Sequence, residues 1–200
     1  VLAKSGMSFA LPVSSATASG AGVGSYYALL LQSGGKVYLP DHTASALDSH
    51  TAVAAFRKWT NFYRNYGFPL SYDFINRFRT GETPVGVADF TTYNTLLVSA
   101  PEIRGLWGFT QVPGTVRDNG AVDHSVAGGG TACMILAASH QPENAWEFLK
   151  WWTDAETQER FSSELQSLLG ASARYPTANL EAFSSLPWTA DEYRQIQLQP

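Results

Sequence analysis

Short apolar runs alternate with capped amphipathic helices along this chain, and that alternation restricts it to architectures that layer helices on a sheet. The clearest junction is Pro84-Val85-Gly86-Val87-Ala88, a strand-like run that meets Asp89, a good helix N-cap, ahead of a helical pattern over 90–98. Further strands are expected over 6–13, 36–39, 107–112 and, interrupted by glycines, 125–137. A Ser/Ala/Gly loop over 14–24 precedes a helix over 25–32 that stops at Gly34-Gly35. Ser49 is expected to cap a long helix whose Ala52, Phe56, Trp59, Tyr63 and Tyr66 form one face, closed by Gly67 and Pro69. Ser71 then opens a shorter helix with Phe74, Ile75 and Phe78 inside, ended by Gly81. No segment repeats, so the fold class is α/β.

Three tryptophans and a phenylalanine crowd the octet Ala145-Trp146-Glu147-Phe148-Leu149-Lys150-Trp151-Trp152. Ala145, Phe148, Leu149 and Trp152 fall at i, i+3, i+4 and i+7, the stripe by which a helix packs on a core, so packing is expected rather than direct ligand contact. Pro142 and Glu143 suit the first turn of that helix. Thr153-Asp154-Ala155-Glu156 has the spacing of a capping box that starts the next helix, with Phe161, Leu165, Leu168 and Leu169 on one side and Gly170 as a left-handed cap. Thr189 caps a last helical pattern over 191–198.

Composition removes several functions. With 200 residues, 44% of them hydrophobic and 15% charged, the chain can bury a core. A net charge of −4, with the 13 Lys and Arg scattered, argues against nucleic acid and against electrostatic attraction to membranes. No apolar run approaches the roughly 20 residues needed to span a bilayer. The single Cys133 lies in an apolar run over 131–137 that predicts an inert core thiol on a buried strand.

Catalytic patterns fail on inspection. Gly6-Met7-Ser8-Phe9-Ala10 lacks the second glycine of a nucleophile elbow, and Gly20-Ala21-Gly22-Val23-Gly24 is neither a dinucleotide fingerprint nor a phosphate loop. His42, His50, His124 and His140 have no partner at metal-ligand spacing, so no metal and no cofactor are expected. A glycosidase needs two facing carboxylates, and only Asp89 stands at a strand end. Asp89, Phe90, Thr91, Thr92 and Tyr93 do lie where α/β folds bind ligands, beyond the carboxyl end of a strand. Sugars offer C–H faces to aromatic rings and hydroxyls to polar groups, a mixture that Tyr93, Trp107, Arg174 and Tyr175 supply.

Taken in order, several pieces resemble the extracellular solute-binding proteins of ABC importers, the family of maltose- and glycerol-phosphate-binding proteins. They are Ala46-Leu47-Asp48-Ser49, Arg77-Phe78-Arg79-Thr80-Gly81-Glu82, Ala100-Pro101-Glu102-Ile103-Arg104-Gly105, Val112-Pro113-Gly114, Gly128-Gly129-Gly130, Ala145-Trp146-Glu147-Phe148-Leu149 and Tyr175-Pro176-Thr177. The resemblance implies a periplasmic-binding-protein-like (type II) fold of two α/β lobes, and a chain that is a C-terminal fragment of it. Residues 1–108 would be a second-lobe segment, 109–160 a hinge-crossing strand, glycine segment and first-lobe excursion, and 161–200 a return to the second lobe.

It also implies binding rather than turnover: capture of a carbohydrate or oligosaccharide for delivery to a membrane permease. The location would be extracellular, anchored as a lipoprotein or periplasmic. Carried over by position, the ligand-binding residues would be Asp89, Phe90, Thr91, Tyr93, Trp107, Gly129, Gly130, Thr131, Arg174 and Tyr175. The chain departs from sugar binders of this kind in having Thr131 directly after the glycines and Thr91 after the strand, where many have Trp. If 113–160 normally rests on a missing lobe, some of Trp146, Phe148, Trp151 and Trp152 should stand exposed or be covered by another chain, which would permit a homo-oligomer. A carbohydrate-active enzyme or its sugar-binding module is the alternative, and a docking domain built on the Trp-rich helix is a third.

Overall fold

A computed structural model describes residues 1–13, 24–127 and 131–197. Gly128, Gly129 and Gly130, most of the Ser/Ala/Gly loop and the last three residues lie outside the described residues. The architecture is α/β. Strand β1 (Phe9–Ala10) pairs in parallel with β2 (Val85–Gly86), Phe9 opposite Val85 and Ala10 opposite Gly86. A Cβ on Gly86 would lie 2.5 Å from the Phe74 ring and 2.9 Å from the Ala10 Cβ, so this pairing needs glycine.

Helix α1 (Gly24–Gln32) packs on α2 (His50–Arg64) through buried Leu30, Ala52 and Ala55. Ser49 caps α2 as expected, its hydroxyl oxygen accepting from the Ala52 N–H at 3.3 Å. The expected continuous face is only partly buried: Trp59 and Tyr63 are half-buried, while Phe56 and Tyr66 are exposed. Polar handles fix the half-buried rings. The Trp59 indole N–H donates to Ser25 at 2.9 Å, and the Tyr63 hydroxyl donates to the Leu11 carbonyl at 3.0 Å, tying the helix pair to the segment after β1.

Helix α3 (Phe74–Arg79) begins two residues later than a start at Ser71 predicts, because Asp73 is the cap and accepts from the Asn76 N–H at 3.1 Å. Asp89 caps α4 (Phe90–Ser99) as expected. The run 107–112 has no regular secondary structure and forms no strand among the described residues. The hairpin of β3 (Thr115–Val116) and β4 (Val122–Asp123) follows, closed by a tight turn at Gly120 (φ 80°) and by the Arg117–Asp123 ion pair.

The buried strand expected over 125–137 does not form among the described residues either, and Cys133, Met134 and Leu136 are exposed. Apolar character alone cannot bury a strand; it needs a neighbour to satisfy its backbone, and among the described residues no strand pairs with this run. The octet does form helix α5 (Pro142–Thr153), with Pro142 at its first turn. Ala145, Leu149 and Trp152 are partly covered, but Trp146, Phe148 and Trp151 are each more than half exposed.

The expected capping box at Thr153 is not formed. Asp154 is the cap of α6 (Ala155–Leu169), while the Thr153 hydroxyl turns back to the Leu149 carbonyl at 2.8 Å. On α6, Phe161 and Leu165 are partly buried but Leu168 and Leu169 are exposed, and Gly170 ends the helix with positive φ and extended ψ rather than a left-handed cap. A 3-10 turn (Ala171–Ala173) and helices α7 (Leu180–Ser185) and α8 (Ala190–Gln197) complete the fold.

Candidate functional site

A cavity of about 580 Å³ opens at the carboxyl end of β2, between α3, the start of α4 and the irregular run 106–113. Such a volume is in the range of small-molecule sites. Phe9, Phe74, Phe78, Phe90, Tyr93, Trp107 and Phe109 supply its rings, and among the described residues Asp89 is the only charged one in its wall.

The local chemistry explains the wall. Asp89 Oδ1 accepts from the Thr91 hydroxyl at 2.6 Å, the Thr92 N–H at 3.2 Å and the Thr92 hydroxyl at 3.2 Å. Its Oδ2 makes no hydrogen bond among the described residues, so one carboxylate oxygen is open to an incoming hydroxyl. Phe90 stacks on Tyr93 at 5.6 Å between centroids, and Tyr93 meets Trp107 at 5.4 Å and Phe109 at 4.8 Å. Trp107 also meets Phe78 edge-on, so its ring is wall and packing at once.

Behind Tyr93 lies a buried ion pair. The Tyr93 hydroxyl donates to Glu192 Oε1 at 2.6 Å, and Arg174 Nη1 donates to the same oxygen at 3.2 Å. Glu192 Oε2 accepts from the Thr189 N–H at 2.7 Å, and the Thr189 hydroxyl accepts in return from the Glu192 N–H, a true capping box at the start of α8. Arg174 Nε donates to Gln166, and its guanidinium lies 4.8 Å from the centre of the Trp188 ring. Side-chain exposure is 5% for Arg174 and 6% for Glu192. Burial alone would raise the Glu192 carboxyl, but the Tyr93 hydroxyl, the Thr189 N–H and Arg174 outweigh it and hold the carboxyl below its usual value. Burial first, then the bond to Glu192, raises the Tyr93 phenol.

The structure therefore brings Asp89, Phe90, Tyr93 and Trp107 to one cavity, with Arg174 behind Tyr93 rather than in the wall. Thr91 holds the Asp89 carboxylate from outside the lining. Tyr175 belongs to a different cluster, against Trp152 and Phe161, and Thr131 is exposed away from the lining. Gly129 and Gly130 lie outside the described residues. Sequence reasoning missed Phe109, Trp188 and Glu192. The Thr189-to-Glu192 capping spacing was a legible signal for the last of these. Among the described residues, no group of three or more His, Cys, Asp or Glu side chains is placed to hold a metal ion, and no helix is long and apolar enough to cross a membrane.

Residues 7–192 match the family model described as bacterial extracellular solute-binding protein. The chain belongs to that family. Two solved structures share the fold of this solute-binding protein. One is an ABC transporter solute-binding protein from Thermotoga lettingae TMO bound with α-D-tagatose, at 19% identity and a TM-score of 0.62. The other is a candidate oligosaccharide periplasmic-binding protein from Synechococcus sp. MITs9220, at 18% identity and 0.58. Each alignment covers 96% of this chain and 47% of the other, so the chain spans about half the length of the structures it matches. Among curated protein sequences there is no match.

Proposed function

We propose that this solute-binding protein captures a carbohydrate or oligosaccharide outside the cell for delivery to an ABC-type permease, by binding and without turnover. The observation that carries this is the aromatic cavity at the end of β2, with one carboxylate oxygen of Asp89 left open beside it. Ring faces and a lone acceptor suit a pyranose, whose C–H face stacks while its hydroxyls donate. The tagatose bound by the Thermotoga lettingae relative supports the substrate class.

Residues 1–108 and 161–200 act as one lobe and 109–160 as the segment that crosses to a second, with the Trp-rich helix resting on that lobe. The exposed Trp146, Phe148 and Trp151 favour such a cover over a bare surface. The site residues on this lobe are Asp89, Phe90, Tyr93 and Trp107, with Thr91 orienting Asp89; Gly129, Gly130 and Thr131 are the crossing segment's contribution, Arg174 supports from behind through Glu192, and Tyr175 packs apart from the cavity with Trp152 and Phe161. Anchoring as a lipoprotein or free residence in a periplasm both fit this role.

The test is thermal shift and calorimetry on the full-length protein with mono- and oligosaccharides. A bound sugar at about 100 times its Kd stabilises by about 2.7 kcal/mol. Silence toward every sugar with a clear response to peptides overturns the substrate class.

A further inference from the structure

The cavity's charge is as informative as its shape. Among the described residues, Asp89 is the one charged residue in a wall that otherwise consists of rings, aliphatic groups, threonines and Gln111, and no Lys, Arg or His lines it. The cations on neighbouring elements are engaged elsewhere: Arg79 pairs with Glu102 at 2.7 Å, Arg77 lies 3.8 Å from Glu82, and Arg104 donates to the Leu97 carbonyl. Among the described residues, buried Arg174 is linked to the cavity wall through Glu192, which pairs with it and accepts the Tyr93 hydroxyl.

We infer that this site takes an uncharged sugar by its apolar ring face and discriminates against phosphorylated and carboxylated ones, with Glu192 masking the Arg174 cation behind the wall. The inference rests on the sugar-site proposal. An anion in this cavity would lose its hydration, meet no donor cation and face the Asp89 carboxylate, an uncompensated loss. A neutral pyranose meets none of these penalties, because its hydroxyls can donate to Asp89 Oδ2 and its C–H face covers the rings. Glu192 is thus a positioning and masking residue: it accepts the Tyr93 hydroxyl from behind, so the cavity sees the Tyr93 ring rather than its polar end.

Calorimetry on the full-length protein with D-tagatose and maltotriose as neutral probes, and a hexose phosphate and glucuronate as anionic ones, tests this. The expected result is a neutral probe bound at least about tenfold more tightly than its anionic counterpart, equivalent to about 1.4 kcal/mol. In Glu192→Gln, which keeps an acceptor for Tyr93 but unmasks the Arg174 charge, that ratio should shrink several-fold. Because the readout is a ratio of two affinities, a general weakening of the fold cancels. Anionic probes bound as tightly as neutral ones overturn the inference and leave the sugar site standing. A ratio unchanged in folded Glu192→Gln removes the masking role. No binding of any sugar overturns the site itself and this inference with it. If Glu192→Gln fails to fold, the wild-type ratio still decides the charge preference.

Discussion

The segment behind Tyr93 and the segment over 131–152 are both rich in large apolar and aromatic side chains, yet they end in opposite states. In the first, α4, α6 and α8 converge on Arg174 and Glu192; the rings of Phe90, Tyr93 and Trp188 pack around the pair, and each charged group has several partners. In the second, Met134, Leu136, Trp146, Phe148 and Trp151 stand open to solvent, and the ring contacts of Phe148 and Trp151 run to one another and to Trp152 along the same helix. Composition does not distinguish the two regions. Partners from distant sequence do.

The comparison can be broken in four places. Arg174→Leu should have the largest effect, because it strands the Glu192 carboxylate in the interior; a loss of about 3–5 kcal/mol in urea unfolding is expected. A loss under about 1 kcal/mol would mean the pair is solvated and the contrast is false. Acid attacks the same pair. The Glu192 carboxyl is held below its ordinary value in the fold, so its stabilisation is complete above about pH 4.3, the unfolded value, and is lost as pH falls through the folded one. Unfolding midpoints measured downward from pH 5 should therefore fall, and the fall should be smaller in Glu192→Gln.

Tyr93→Phe removes one hydrogen bond to a charged group while Arg174 and the Thr189 N–H still hold Glu192, so about 1.5–3 kcal/mol should be lost in the same unfolding assay. The smallest effect belongs to the other region. Trp151→Ala in this 200-residue chain should change unfolding free energy by no more than about 0.5 kcal/mol in the same urea assay. A loss of several kcal/mol there would show the face to be packed, and the comparison would collapse.

Much of the fold is legible in the sequence. Ser49, Asp89 and Thr189 cap the helices they were expected to cap, Pro142 opens α5, and the strand-to-helix junction that carries the cavity is where the pattern put it. The candidate cavity is legible in part: Asp89, Phe90, Tyr93 and Trp107 line it together, while Arg174 lies behind it and Tyr175 stands with Trp152 and Phe161. Glu192 was overlooked because a carboxylate three residues after a threonine reads as a helix cap, and only the approach of α4 adds Tyr93 to its partners.

The sequence by itself determined helix starts, helix stops and which elements are amphipathic, because those depend on side chains bonding a backbone three or four residues away. Tertiary structure alone decided which apolar runs are buried, whether 107–112 and 131–137 become strands, and that Arg174 is a buried ion rather than a surface charge. A strand or a buried charge is completed by groups far along the chain, and no local pattern encodes whether those groups arrive.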